Sequence, residues 1–218
     1  MNLLSIIIPV YNEEGSIGSL IQKLKKLDLS ISNFRKEIII VNDGSTDRSA
    51  SIIESFDEIV IKNQDNQGKG SAVQNGIESA NGNYILIQDG DLEYNPDDII
   101  KMCNQLGSSE NMSIYGSRYK PFYLGLFPKF YNKQNISSYL ANIVFIFLFL
   151  IFYTRIVTDP LTGYKLYSKN FFKNNTIKSK GFEADHEITA KLIKQGFKII
   201  EVPIGYKPRN KLEGKKIN

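Results

Sequence analysis

Residues 4–27 read LSIIIPVYNEEGSIGSLIQKLKKL, an apolar run from Leu4 to Val10 followed by Ile17, Leu20, Ile21, Leu24 and Leu27 at helical spacing. A buried strand that hands over to an amphipathic helix opens a βα unit. The same alternation continues outward. Glu37 to Val41 predicts a strand and Thr46 to Phe56 a helix; Ile59 to Lys62 predicts a short strand and Lys69 to Ala80 a helix; Tyr84 to Gln88 predicts a fourth strand. Asn95 to Leu106 is expected to be a helix with Asn95 as its cap and Pro96 in its first position. Strands alternating with helices imply an α/β fold: a mostly parallel central sheet, helices on both faces, and ligands at the carboxyl ends of the strands.

With 218 residues, 42% hydrophobic and 23% charged, the chain has the apolar material for one core, so a single domain over 1–218 is expected and wholesale disorder is excluded. The lone cysteine, Cys103, cannot close an internal disulfide, and with one histidine, His186, it cannot build a Cys/His zinc site. Any metal here is therefore a hard cation on carboxylates. The opening MNLLSIIIPVYNEE lacks the basic lead and cleavage site of a secretory leader, so a cytoplasmic location is expected. A net charge of +4 conceals a polarity: residues 1–100 hold 8 Lys and Arg against 16 Asp and Glu, and residues 101–218 hold 19 against 7. Either these are two solvated faces, or the front half handles a cation or sugar and the back half meets phosphate or an anionic membrane surface. The basic residues are dispersed and carry no nucleic-acid-binding signature.

From Tyr139 to Tyr153 the chain reads YLANIVFIFLFLIFY, without a charge. At 15 residues it is shorter than the roughly 20 that a spanning helix needs. Two readings stand: a buried core helix, or an element lying against a bilayer, for which flanking Lys120, Lys129, Lys133 and Arg155 suit lipid headgroups.

Asp89-Gly90-Asp91 closes an apolar strand and precedes Leu92-Glu93. Carboxylates two apart can converge on one divalent cation where the chain leaves its pleat, although an acidic turn explains such a triplet taken alone. Upstream, PVYNEE (9–14) and VNDGSTD (41–47) are both strand-to-helix turns that an open sheet sets side by side. There Tyr11 can stack on a base and Asp43 can accept a hydrogen bond from a base N–H; equally, Ser45 to Asp47 can simply start a helix. Gly68-Lys69-Gly70-Ser71 is not a phosphate loop, because Asn63 and Gln64 stand where the first glycine is required, and no G-x-G-x-x-G follows the first strand.

SIIIPVYNEE (5–14), VNDGSTD (41–47), NQGKGSAVQNGIESANGNYILIQDGDLEYNP (66–96), GSRY (116–119), TDPLTGYKLY (158–167), GFEADHEITAKLIKQGFKIIEVPIGYKPR (181–209) and EGKK (213–216) resemble, in this order and spacing, glycosyltransferase family 2. Within it they are most similar to the dolichyl-phosphate mannose synthase and polyprenyl-phosphate glycosyltransferase branch. The resemblance implies a GT-A fold, a nucleotide-sugar donor and Mg²⁺ or Mn²⁺. Residues 1–116 would form the nucleotide-sugar half and 117–218 the acceptor- and membrane-facing half.

Carried over by that resemblance, Pro9, Tyr11, Glu13, Val41 and Asp43 would hold the nucleoside. Asp89, Gly90 and Asp91 would meet the diphosphate, with Asp89, Asp91 and Glu93 on the metal; Glu93 stands where the mannose synthases often carry glutamine, and Asn42 replaces the first acid of the usual D-D-G-S. Arg118, Arg209 and Lys215 would reach donor or acceptor phosphates and stabilise the leaving diphosphate. Asp159 is placed nearest the acceptor, followed by Glu183, Asp185 and Glu187. An alcohol acceptor needs a base, whereas a polyprenyl phosphate is already anionic and needs only orientation. His186 is expected on a helix surface. The implied function is inverting transfer of a sugar from a GDP- or UDP-sugar to a polyprenyl phosphate, by a protein peripherally bound at the cytoplasmic membrane face. The alternatives are a glycan or soluble hydroxyl acceptor, and a catalytically silent module recruited to the membrane, which the intact Asp89, Asp91 and Arg118 oppose.

Overall fold

The computed structural model describes residues 1–57, 59–107, 111–119 and 136–209, with side chains from residue 140 in the last stretch. Lys120, Lys129, Lys133 and Lys215 lie outside the described residues. Seven strands, β1 (Asn2–Val10), β2 (Phe34–Asp43), β3 (Val60–Gln64), β4 (Tyr84–Ile87), β5 (Met112–Ser117), β6 (Lys165–Ser168) and β7 (Lys198–Pro203), form one sheet in the order β3-β2-β1-β4-β6-β5-β7. The helices are α1 (Ile17–Lys26), α2 (Ser49–Glu54), α3 (Lys69–Ser79), α4 (Asp98–Cys103), α5 (Ile136–Tyr153), α6 (Lys169–Lys173) and α7 (Ala184–Lys194).

The isoleucine run of β1 explains the layering. Strand side chains alternate between faces. Leu4, Ile6, Ile8 and Val10 therefore enter one core with Ile17, Leu20, Ile21 and Leu24 of α1 and with Ile99 and Met102 of α4. Ile7 points the other way, into a cluster with Ile39, Ile85 and Ala80. Both faces of β1 are dry, and each fully buried isoleucine stabilises the fold by about 1.5–3 kcal/mol.

Direction matters more than order for the site. β1 runs parallel to β2 and β4, β2 to β3, and β5 to β7, whereas β6 is antiparallel to both β4 and β5. The carboxyl ends of β1, β2, β4, β5 and β7 thus share one edge, and the segment leading into β6 returns to it. The expected mostly parallel sheet is present, with one reversed strand that the sequence pattern did not disclose.

Local differences have local causes. α1 begins at Ile17 because the N–H groups of Ser16 and Ile17 both donate to the Glu13 carbonyl, closing a turn first. α4 begins at Asp98 rather than at Pro96: Asn95 Oδ1 accepts the Asp97 N–H at 3.2 Å and its carbonyl accepts that of Asp98, so residues 95–98 form a turn.

Residues 139–153 do not form a core helix. α5 is longer, and Leu140, Val144, Phe147, Leu148, Ile151 and Phe152 recur on one face and are exposed, while Asn142 and Phe149 on the opposite side are buried. Among the described residues no helix is long and apolar enough to cross a membrane.

Candidate functional site

A cleft of about 820 Å³ opens at the shared carboxyl edge. Pro9, Tyr11, Glu13, Asp43, Asp89, Gly90, Asp91, Glu93, Arg118 and Arg209 line it, so residues scattered over two hundred positions of sequence meet at one place. Val41 and Asp159 do not line it; both are fully buried.

Polar side chains lace the first two turns together. Asn12, in the left-handed region at φ 51°, accepts the Thr46 N–H at 2.7 Å, and its own N–H donates to Ser45 Oγ at 3.0 Å. Glu13 N–H donates to Ser49 Oγ at 2.8 Å. The Ser45–Asp47 segment is therefore a brace between β1 and β2 as well as the approach to α2, and it leaves the Tyr11 ring exposed at the cleft. Asp43 is nearly buried. Its carboxylate accepts from Gln64 Nε2 at 2.6 Å, Gln67 N–H at 2.9 Å and Gly68 N–H at 2.9 Å, leaving about one of its four lone-pair sites for a ligand. Gly68 sits at φ +97°, and a Cβ there would meet the Lys180 carbonyl at 2.6 Å, so only glycine delivers that N–H.

The acidic turn after β4 is held from both sides. Asp89 Oδ1 pairs with Lys69 Nζ at 2.7 Å. Asp91 accepts the Glu93 N–H at 3.1 Å and lies 3.4 Å from Arg209 Nη2. Glu93 turns away, accepting from the Tyr206 hydroxyl at 2.5 Å and the Arg209 N–H at 2.8 Å. Arg209 forks onto Glu13 at 2.8 and 3.1 Å. Burial, then the charges of Asp89 and Glu93, push Asp91 up to about 7.

The three acids expected on a metal lie together in the cleft, but among the described residues no group of three or more His, Cys, Asp or Glu side chains is arranged to hold a metal ion, and Glu93 is committed to Tyr206 and Arg209. The donor chemistry still fits a hard divalent cation. Carboxylate oxygens are crowded at Asp89 and Asp91, and the accumulated negative charge around Asp91 is what a bound cation would relieve.

Asp159 is an anchor beneath the cleft. It accepts Arg118 Nε and Nη2 at 2.8 Å each and the Arg118 N–H at 2.9 Å, while its own N–H donates to Glu201 at 2.9 Å. With no exposed surface it has no path to an acceptor as a base; it aims the guanidinium, which lies over the Tyr206 ring at 5.1 Å. Burial opposes the Arg118 charge, but Asp159 holds the guanidinium well above its ordinary range.

Several cleft residues lie within the quoted motifs but were given no part in the donor site by the sequence. Tyr94 stacks on Tyr164 at 5.0 Å, and its hydroxyl accepts the Gly163 N–H at 3.0 Å. Lys69 and Asp185 face the cleft as an ion pair. α5 supplies part of the wall through Ala141, and its Phe145 ring stacks on His186 at 4.4 Å. His186 is thus a packing residue at the cleft rim, where a surface position on α7 was expected.

Comparison with known proteins gives this cleft a setting. The chain is 30% identical over 223 residues to a dolichol-phosphate mannosyltransferase of Pyrococcus furiosus, covering 98% of this chain and 60% of that protein. It is 27% identical over 224 residues to a UDP-N-acetylglucosamine–dolichyl-phosphate N-acetylglucosaminyltransferase of Methanococcus voltae, covering 93% and 84% respectively. Three further relatives are spanned over only 63%, 48% and 41% of their lengths. The glucosyl-3-phosphoglycerate synthase of Mycobacterium tuberculosis, crystallised with Mn²⁺, UDP and glucosyl-3-phosphoglycerate, superimposes with a TM-score of 0.70 at 18% identity, over 97% of this chain and 74% of that one, which shows a shared GT-A fold. The profile of glycosyl transferase family 2 matches residues 5–175. The chain belongs to that family, in its polyprenyl-phosphate glycosyltransferase-like branch.

Proposed function

We propose that the protein transfers one sugar, with inversion, from a GDP- or UDP-sugar to a polyprenyl phosphate at the cytoplasmic face of a membrane. The observation that carries this reading is the continuity of a charged cleft with an exposed apolar helix face: Asp91, Arg118 and Arg209 line the same cleft as Ala141 of α5. An acceptor with an anionic head and a hydrocarbon tail matches both surfaces at once. Relatives named for dolichyl phosphate acceptors support it, as does the nucleotide bound by the Mycobacterium structure.

In this reading Tyr11 stacks on the base and Asp43 offers it an acceptor. Arg118 and Arg209 face the diphosphate as charge develops on the leaving group, and preorganised cations in a cleft are worth most at that moment. When bound at Asp89 and Asp91, Mg²⁺ or Mn²⁺ would supply further neutralisation of that diphosphate. The acceptor phosphate is already ionised, so burial of Asp159 costs the reaction nothing; a hydroxyl acceptor would need a base. The test is extraction: with labelled UDP- and GDP-sugars and an added polyprenyl phosphate, label should enter the organic phase. Label that stays aqueous and moves to an added glycan would replace this acceptor with a hydroxyl.

A further inference from the structure

Four charged side chains of alternating sign run from the interior into the cleft. Lys165, fully buried on β6, places Nζ 3.8 Å from Asp185 Oδ1 and donates to the carbonyls of Pro160 at 3.2 Å and Asp185 at 3.1 Å and to Thr189 Oγ1 at 3.3 Å. Asp185, in the first turn of α7, meets Lys69 Nζ at 3.4 Å through Oδ2. Lys69, the first residue of α3, reaches Asp89 Oδ1 at 2.7 Å. Beside this pair the wall is Gly163, where a Cβ would stand 2.5 Å from Asp89 Oδ2 and 3.4 Å from Lys69 Nζ.

A lysine is a point charge on a flexible four-carbon stem, so one carboxylate fixes it poorly. Two carboxylates, one on α7 and one in the turn after β4, fix it well. Burial opposes the Lys69 charge, but Asp185 and Asp89 hold the ammonium above its usual range; burial likewise opposes Asp185, which Lys69 and Lys165 hold below the usual carboxylate range. The ammonium carries three N–H donors, of which two are directed at these acids.

We propose that Asp185 and Lys165 are positioning residues that seat Lys69 against Asp89, so that the ammonium orients the first carboxylate of the Asp89-Gly90-Asp91 turn and presents its third N–H to the donor's diphosphate. This rests on the glycosyltransferase reading of the cleft. Asp185 acts through Lys69, so its effect on the donor depends on Lys69 being there.

The test is a double-mutant cycle read by calorimetry with UDP and GDP in the presence of Mn²⁺, alongside thermal unfolding of each variant. Lys69→Met and Asp185→Asn are each expected to weaken nucleotide binding about tenfold, within the coupling range of contacting residues, and the double variant to bind no more weakly than Lys69→Met alone. Asp185→Glu should restore most of the affinity. If Asp185→Asn does not fold, Asp185→Asn with Lys165→Met removes both charges of the inner pair and takes its place in the cycle. Additive losses, or a lowered unfolding temperature with unchanged affinity, overturn the relay. Failure of the unaltered protein to bind either nucleotide overturns the donor reading itself, and with it this inference, before any substitution is compared.

Discussion

Arg118 holds Asp159 through the Nε–Nη2 edge of its guanidinium, each nitrogen donating to one carboxylate oxygen at 2.8 Å, and the carboxylate so held has no exposed surface. The cleft sees only the cation. Arg118→Lys keeps the charge and loses the fork, so turnover should fall about 10²-fold with a small change in donor KM, as for removal of one preorganised donor. Steady-state kinetics at saturating donor checks it.

Asp159→Asn tests the other partner. It leaves a buried guanidinium without its counter-charge, and breaking such a pair from one side costs about 3–5 kcal/mol of stability. Urea unfolding should show that loss, whereas an exposed carboxylate acting as a base would reduce turnover with no change in stability.

Asp91→Ala should abolish transfer, and a chelator should do the same to the unaltered protein, with activity restored by added Mn²⁺ or Mg²⁺. Transfer that survives both treatments would remove Asp91 and a divalent cation from the chemistry.

How far this cleft was legible depends on distance along the chain. Ile6 to Ile8 and the acidic turn at Asp89 declare themselves within ten residues, because strand burial and carboxylate spacing are local. Lys69 and Asp185 are 116 positions apart, and no local pattern says that α7 comes to lie beside α3. Lys69 accordingly looked like a fragment of a failed phosphate loop. The reversal of β6 was equally silent, since period-two burial is the same in either direction. Residues 139–153 were ambiguous for a different reason: an all-apolar helix has no polar face to mark its outside, so composition alone cannot separate core from exposed surface.

Gly163→Ala should impair donor binding while the fold persists. The added Cβ would stand 2.5 Å from Asp89 Oδ2 and 3.4 Å from Lys69 Nζ, displacing the carboxylate that Lys69 orients. A loss of about tenfold or more in UDP or GDP affinity is expected, since misplacements near 1 Å carry penalties of that order. Calorimetry, with circular dichroism as the control, decides it.

Glu187 braces the loop that carries Phe182 into the cleft. Burial works against its charge, but hydrogen bonds from Lys191 and from the N–H groups of Lys178 and Ser179 hold its carboxyl at about 2, below the usual 4.5. The folded-state value is depressed, so the stabilisation is complete above the unfolded value and disappears as pH falls from 4.5 through about 2. Glu187→Gln should lower the urea midpoint at pH 7 and match the unaltered protein near pH 2.

Phe147→Glu with Ile151→Glu places two carboxylates on the exposed face of α5. Flotation with anionic vesicles should show membrane partition reduced on the order of tenfold or more, through lost apolar contact and added repulsion. Nucleotide affinity should be unchanged, because neither residue lines the cleft.

Because Ala141 of α5 lines the cleft while Phe147 and Ile151 of the same helix are exposed, an amphiphile lying on that helix would also lie against the cleft wall. Under the proposed transfer to a polyprenyl phosphate, detergent identity would then be a kinetic variable for this protein. Rate constants gathered in different micelles would describe different enzymes, and an assay in lipid nanodiscs of defined headgroup is the proper standard state.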